Sequence, residues 1–478
     1  MRSTTALTDP IARIEDSLVT ALPMLRQIGE LFAQAGEEVA LVGGSVRDAL
    51  LGRPMNDLDF DFATSADPQR VIDLVGPWAD TVWDVGIRFG TVGVRKGDRR
   101  LEITTYRTES YRPESRKPDV DYGKSLEEDL TRRDFTVNAM AARLPDLRLV
   151  DLHDGQRDLS EQVLCTPMDP AVSFSDDPLR MMRAARFVAE LGFTIEERTL
   201  AAISGMADRI QIVAPERVQV ELSKLLLGAD PAEGLAVMVE TGLAEHVLPE
   251  LPALRLEIDE HHRHKDVYEH TLTVLEQAIA LEDGEPDLVL RLAALLHDIG
   301  KPKTRRFEAG GGVSFHHHEV VGARMARQRL KALRYSNDVI DEVSRLVELH
   351  LRFHGYGSGQ WTDSAVRRYV RDADDLLARL HKLTRADCTT RNRRRAAALQ
   401  RAYDGLEQRI EQLQADEELA AIRPDLDGND IMRILDLPPG REVGAAYRFL
   451  MDLRLDRGPL GPEMAEEALR AWWAARPS

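Results

Sequence analysis

A chain of 478 residues, 43% of them hydrophobic, is long enough for about three domains with ordinary cores. Its net charge of −18 excludes a generally basic nucleic-acid coat, so any RNA contact must come from local basic patches. Two cysteines, Cys165 and Cys388, exclude a disulfide framework and a thiolate zinc cluster; no apolar run suits a signal peptide or a membrane span, which predicts a cytoplasmic protein.

Residues 1–10 are polar, and Ile11 to Gly36 carry helical periodicity, with Leu22, Leu25, Ile28, Leu31 and Phe32 on one side. Val39–Val42 reads as a short buried strand, followed by Gly43-Gly44 and a short helix over Ser45–Leu51. Glycines between a strand and a helix make a phosphate seat, because the backbone can approach closely and the helix start offers free N–H groups. In the next segment Leu58, Phe60 and Phe62 fall on one strand face, and Asp57, Asp59 and Asp61 on the other. Carboxylates two residues apart on one face can grip a pair of divalent metals for in-line nucleotidyl transfer, and hard oxygen ligands favour Mg²⁺. The bland alternative is a half-buried strand with a solvated acidic face.

Pro68–Val75 predicts a helix; Thr81–Val94 and Arg99–Arg107 predict strands hinged at Lys96-Gly97-Asp98. Glu102, on the face of Thr104 and Tyr106, is either a third carboxylate that orients an attacking hydroxyl or a solvent-facing strand residue. Thr108–Ser125, rich in Pro, Ser and charge, predicts a mobile loop. Glu127–Met140 reads as a charged segment with helical ion-pair spacing. Asp177 as N-cap and Pro178 behind it start a helix that sets Asp177, Arg180, Arg183 and Arg186 along one face, as a salt bridge with a basic stripe or as a binding surface.

Gly-Gly-x-Val-Arg-Asp-x-Leu-Leu-Gly at 43–52, followed by Asp57-Leu58-Asp59, resembles the signature of class II tRNA nucleotidyltransferases and bacterial poly(A) polymerases. Arg132-Arg133-Asp134-Phe135-Thr136-Val137-Asn138-Ala139 and Asp177-Pro178-Leu179-Arg180 resemble two further motifs of that family. The resemblance implies metal-holding aspartates, phosphate contacts from Gly43, Gly44 and Arg47, a triphosphate or ribose contact from Arg133, and phosphate contacts from Arg183 and Arg186. It also implies that the loop near 108–125 helps the enzyme change its nucleotide choice. Counted from Gly43 the aspartate pair is Asp57 and Asp59; counted back from Ala63-Thr64-Ser65-Ala66 it is Asp59 and Asp61. The longer match, on the glycine side, selects Asp57 and Asp59. In the family the Asp-x-x-Arg pair, Asp177 and Arg180 here, reads bases. A carboxylate beside a guanidinium complements the amino donor and ring acceptor shared by cytosine and adenine, and refuses uracil and guanine.

Glu196 to Leu248 is helical in pattern. Beyond it, His270, His297-Asp298 and Asp387, with His318 and His350 between, follow the order of the HD-domain metal phosphohydrolases, which they resemble. The resemblance implies a core site of His270, His297, Asp298 and Asp387, with His318 and His350 completing a second position. Imidazole and carboxylate ligands suit Mn, Fe, Co or Ni better than Mg²⁺; the alternative is a packed relic without metal. Arg391, Arg393, Arg394 and Arg395 form the densest basic patch, a candidate RNA-backbone contact or a solvated helix face.

The expected architecture is an α/β nucleotidyltransferase domain with a mixed sheet (1–165), a helical neck (166–255), an HD helical domain (256–395) and a helical tail (396–478). The expected reaction, implied by the resemblance, adds CCA to tRNA 3′ ends from CTP and ATP with release of pyrophosphate, alongside a possible HD phosphohydrolase activity. The alternatives are a poly(A) polymerase, or a phosphohydrolase whose first half only docks RNA. Oligomeric state is not legible.

Overall fold

The computed structural model describes residues 10–53, 59–83, 86–87, 90–110, 119–122, 125–256, 266–307, 313–355, 361–388, 393–417 and 423–476. The chain divides into two compact units, Met1–Pro249 and Glu250–Ser478.

The first unit is built on a mixed sheet. Strands β1 (Val39–Val42), β2 (Asp59–Thr64), β3 (Thr81–Trp83), β4 (Thr91–Lys96), β5 (Arg99–Thr105), β8 (Met140–Arg143) and β9 (Arg148–Asp151) pair in the order β3-β4-β5-β2-β1-β8-β9, while β6 (Arg107–Ser110) and β7 (Asp119–Tyr122) form a separate antiparallel ribbon. Only β2 and β5 pair in parallel within the large sheet; its other ladders are antiparallel. β1 is buried along its whole length, as a central strand requires, and β2 alternates: Phe60 and Phe62 are buried, Asp59 and Asp61 exposed. Ala40, Val42, Ala63, Ala141 and Tyr106 pack with Leu126 and Leu130 of the helix Leu126–Thr131 under one face. Beyond the sheet the unit is helical, with Leu179–Leu191, Glu197–Met206, Pro215–Leu226 and Pro231–Glu240 the longest elements.

Four expectations are corrected. The stretch 11–36 is two helices, Pro10–Ser17 and Leu22–Gln34, because Pro23 lacks an N–H for the preceding turn and starts a new helix instead. Thr81–Val94 is two strands, β3 and β4; Thr91 N–H closes a turn on the Gly86 carbonyl, and Gly90 adopts positive φ. The loop expected over Thr108–Ser125 is bracketed by β6 and β7, with 111–118 and 123–124 outside the described residues. The charged stretch Glu127–Met140 leaves the helix at Thr131, after which a 3₁₀ turn, Thr136–Asn138, leads into β8.

The second unit is almost wholly helical. Val267–Ala280, Leu288–Leu296, His318–Ala332, Asn337–Leu349 and Leu377–Ala386 surround a common interior. Leu288–Leu296 is apolar nearly all round and is capped by Asp287, which accepts from the Val289 and Leu290 N–H groups at 3.0 and 3.1 Å. A single helix, Arg393–Glu417, runs across the boundary drawn at 395/396. Three later helices, Gly428–Leu435, Arg441–Arg457 and Pro462–Ala474, close their own core around Ile431, Ala446, Leu450 and Leu469. No helix among the described residues is long and apolar enough to cross a membrane.

Candidate functional site

In the first unit the site grows from β1 and β2. Gly43 follows β1 at φ 71°, ψ −134°, a backbone open to glycine; a Cβ there would lie 3.2 Å from Arg133 Nη1. The helix Gly44–Leu50 begins at once. β1 and β2 pair as Val39↔Thr64, Ala40↔Ala63 and Leu41↔Phe62, so the next step of the ladder sets Asp61 beside Val42, directly before the glycines. On its other side β2 places Asp61 opposite Glu102 and Asp59 opposite Arg100. Asp59, Asp61 and Glu102 therefore share one face of two neighbouring strands, and Glu102 also accepts from Arg100 at 3.2 Å. Asp61 is accessible but crowded: protein mass around its carboxyl raises its pKa, Arg133 opposes this, and Glu102 and Asp59 add to the rise. Crowded carboxylates of this kind are what a divalent cation relieves, so the oxygen donor set fits Mg²⁺. Asp57 lies outside the described residues.

Around this face lies a network the sequence reading did not contain. Arg47 is buried and forks onto Asp48, at 2.9 and 2.8 Å, while its Nη1 reaches Asn138 Oδ1 at 2.9 Å. Asn138 donates to Asp134 at 3.1 Å, and Asp134 receives Arg183 at 2.6 Å. Burial would raise the Asp134 pKa, but Arg183, Asn138 and the Phe135 N–H more than offset it and hold the carboxyl far below its usual range. Arg183 also meets Glu221 at 3.3 Å, and Glu221 meets Arg186 at 3.2 Å. Three guanidinium groups, those of Arg47, Arg183 and Arg186, lie 5.3, 5.3 and 4.3 Å from the centre of the Phe187 ring. Arg133 is held by Asp129 at 3.0 Å. Arg186 is thus buried and carboxylate-bound, whereas Arg133 and Arg183 keep part of their surface.

Asp177 ends the helix Pro170–Asp176 and caps the next one, accepting from the Leu179 N–H at 3.0 Å. The Asp177–Arg180 salt bridge, the alternative to a binding surface, is not formed among the described residues. Asp177 Oδ2 instead receives Arg217 at 2.9 Å, and Arg180 donates to Ser173 Oγ at 2.7 Å and to the Arg132 carbonyl at 2.5 Å. Local helix spacing suggests the first pairing; Asp177 instead takes a partner 40 residues on, and Arg180 takes partners 7 and 48 residues back.

In the second unit six side chains converge at helix ends. His270, His297 and Asp387 offer one triad of ligand atoms, and Asp298, His318 and His350 another; within each, the atoms lie within 4.8 Å of one another. The four expected core residues meet: His270 Nε2 is 3.0 Å from Asp387 and 3.4 Å from Asp298, and His297 Nε2 is 3.1 Å from Asp298. His318 and His350, expected to complete a second position, share the second triad with Asp298. His297, His318 and His350 each bond Nδ1 to the carbonyl three residues earlier, at Ala294, Phe315 and Val347, over 2.8, 2.8 and 2.7 Å. A carbonyl takes the Nδ1–H, so each Nε2 is turned to the centre and offers its lone pair there when the ring is neutral. The Nε2 atom of His350 is buried with no hydrogen-bond partner among the described residues, that of His318 lies 3.2 Å from Asp298 Oδ1, and those of His270 and His297 face each other at 3.4 Å. Such nitrogens call for a cation or a proton, and the donor set fits a metal. Burial disfavours the His297 imidazolium, but Asp298 and Asp387 lift its pKa to about 9; burial and the His297 charge push His350 down to about 3. Lys301 Nζ lies 2.8 Å from Asp298 Oδ2. Gly300 permits the close packing: a Cβ there would meet the His318 carbonyl oxygen at 2.2 Å and the Gly322 nitrogen at 2.7 Å.

Of the basic patch, Arg391 lies outside the described residues, while Arg393, Arg394 and Arg395 fall in the helix Arg393–Glu417, with Arg394 exposed.

Comparison with known proteins follows the same division. Family models match at residues 39–165 (poly A polymerase head domain), 192–254 (probable RNA and SrmB-binding site of polymerase A) and 267–392 (HD domain). A CCA-adding enzyme of Limosilactobacillus fermentum is 46% identical over 227 residues, 47% of this chain and 54% of that protein. The chain thus spans about half the length of that relative. An A-adding tRNA nucleotidyltransferase of Deinococcus radiodurans is 35% identical over 445 residues, 91% of this chain and 95% of that protein. The crystal structure of the Bacillus stearothermophilus CCA-adding enzyme in complex with CTP superposes with a TM-score of 0.66 at 25% identity, covering 96% of this chain and 98% of that one. Three motifs, a mixed sheet at the first of them, and a relative similar from end to end agree: the chain belongs to the family of tRNA nucleotidyltransferases and poly(A) polymerases.

Proposed function

We propose that this protein adds CCA to the 3′ ends of tRNA from CTP and ATP, without a nucleic-acid template, and releases pyrophosphate. The observation that most supports this reading is the meeting of Asp59, Asp61 and Glu102 with Gly43, Arg133 and Arg183 on one unit that also carries Asp177 and Arg180. Arg133 and Arg183 face the triphosphate, with Arg47 and Arg186 behind them as buried braces. Asp59 with Asp61, in place of Asp57, holds Mg²⁺, since the ladder brings Asp61 to the glycine turn and to Glu102. Bound there, Mg²⁺ supplies the charge that favours an ionised 3′-hydroxyl and balances the departing pyrophosphate. Asp177 accepts the exocyclic amino group shared by cytosine and adenine, and Arg180 donates to the neighbouring ring nitrogen. Residues 1–165, 166–255, 256–395 and 396–478 act as head, neck, HD domain and tail; Arg391, Arg393, Arg394 and Arg395 meet the RNA backbone, and the protein works in the cytoplasm beside its tRNA.

A second reading, addition of the terminal A alone, is favoured by one observation: a relative 35% identical along almost its whole length is an A-adding tRNA nucleotidyltransferase. The assay that decides supplies tRNA ending before CCA, and tRNA ending in CC, with CTP and ATP singly and together. CCA addition predicts that both substrates are completed. A-only addition predicts that only the CC-ended substrate is extended, by one residue. A long A tail with CTP ignored would establish the poly(A) polymerase alternative, and no incorporation would overturn the proposal.

The six ligands of the second unit support a second, separable activity: hydrolysis of a phosphomonoester or 2′,3′-cyclic phosphate with Mn, Fe, Co or Ni bound. The reading rests on the inward Nε2 atoms, and hydrolysis assayed with each metal tests it.

A further inference from the structure

The helix Pro215–Leu226 carries Arg217 and Glu221, one turn apart. Arg217 Nη2 lies 2.9 Å from Asp177 Oδ2. Glu221 is buried and meets Arg183 at 3.3 Å and Arg186 at 3.2 Å. One helix therefore grips the helix Leu179–Leu191 and its cap at two points: the carboxylate proposed to read the base, and the arginine pair proposed to face or brace the phosphates.

An ionised carboxylate has about four acceptor positions. In Asp177 the Leu179 N–H takes one on Oδ1 and Arg217 takes one on Oδ2. Those two bonds fix the carboxylate plane. The unused position on each oxygen is then aimed in a set direction, available to an amino group. Without Arg217 the carboxylate turns about its remaining bond, and a carbonyl-bearing base is refused less sharply. Glu221 acts on the other end. Its two oxygens keep two like-charged guanidinium groups together against the Phe187 ring, where they would otherwise repel.

We propose that Arg217 and Glu221 are positioning residues with separate tasks: Arg217 orients Asp177 and so sets base choice, while Glu221 holds Arg183 and Arg186 and so sets triphosphate binding. This rests on the proposed base-reading role of Asp177. The bond to Arg217 is partly exposed, 41% for its side chain against 12% for Asp177, which keeps its effect modest.

The test uses the full-length protein with a tRNA acceptor and compares kcat/KM for CTP, UTP, ATP and GTP, together with inhibition by inorganic tripolyphosphate. Arg217→Ala is expected to narrow the preference for CTP over UTP, and for ATP over GTP, about five- to ten-fold, a range set by a partly exposed charged hydrogen bond. Tripolyphosphate inhibition should not change, and Arg217→Lys should restore part of the preference. Glu221→Gln is expected to raise KM for all four nucleotides and to weaken tripolyphosphate inhibition together, with the base ratios unchanged. If Arg217→Ala keeps wild-type ratios while Asp177→Ala loses them, the role given to Arg217 is wrong and base reading by Asp177 stands. If Asp177→Ala also keeps the ratios, the base-reading proposal itself fails. If both helix variants lower kcat alike for every nucleotide, with lower melting temperatures and unmoved ratios, the helix is only structural and the proposal is overturned.

Discussion

Arg183 lies 2.6 Å from Asp134 Oδ2, and the same carboxylate is fixed by the Phe135 N–H at 2.8 Å and by Asn138 at 3.1 Å. Segment 132–138 and the helix Leu179–Leu191 are thereby tied through a charge pair rather than through apolar packing alone. Sites and stability share these residues, and the predictions separate the two.

Asp134→Asn leaves Arg183 without its main counter-charge. Breaking one side of a buried pair costs about 3–5 kcal/mol, and the partial exposure of Arg183 puts this case at the low end. The folded-state pKa of Asp134 is depressed, so its stabilisation is present above the unfolded value of about 3.9 and is lost as pH falls below it. Denaturant titrations at pH 7 and pH 3 should show the variant clearly weaker at pH 7, and the gap narrowing in acid. An equal gap at both pH values would sink the assignment.

On the acidic strand, Asp59→Ala and Asp61→Ala should each reduce nucleotide incorporation at least 1,000-fold, the order expected when a metal-held transition-state charge is lost, with unchanged melting temperature. Asp57→Ala should be milder. An inactive Asp57→Ala beside an active Asp61→Ala would restore the register counted from the glycines.

Gly300→Ala forces a methyl group against the His318 carbonyl and the Gly322 backbone. Overpacking of this kind costs about 1–3 kcal/mol, and more when backbone must move. The second unit should melt earlier and bind metal more weakly, while nucleotide addition, a property of the first unit, is retained. Wild-type thermal stability in this variant would show that the close approach is not maintained in solution.

Asp298→Ala removes a carboxylate that faces His270, His297 and His318 at 3.4, 3.1 and 3.2 Å. Bound transition metal, measured by elemental analysis after dialysis, should fall by a clear step, and hydrolysis should vanish while nucleotide addition continues. Asp59→Ala should do the reverse. A wild-type protein that binds no Mn, Fe, Co or Ni would reduce the histidines to packing.

Much of this was legible in the chain because the signals are local. Gly43-Gly44 after an apolar run, alternation from Phe60 to Phe62, and Pro178 behind a capping aspartate each fix geometry within a few residues. The Pro68–Val75 helix follows from the same short-range chemistry. What escaped was long-range. Arg217 displaces Arg180 as the partner of Asp177 because tertiary packing brings a later helix alongside, and no spacing rule contains that. Glu221, Asn138 and Phe187 escaped for the same reason: each also meets a group far off in sequence, Arg183 for Glu221 and Arg47 for the other two. The division of the six HD ligands into two triads is likewise a property of the fold, though their identities stand in the sequence.

The carbonyl contacts of His297, His318 and His350 have a consequence for how that centre tolerates loss. Each lock is made within one turn of its own chain, so no histidine depends on another, or on an ion, to choose its tautomer or aim its ring. Deleting one ligand leaves the survivors already pointed inward. Damage to the centre should therefore be graded, with affinity stepping down ligand by ligand, where a centre whose ligands orient one another would collapse at the first removal.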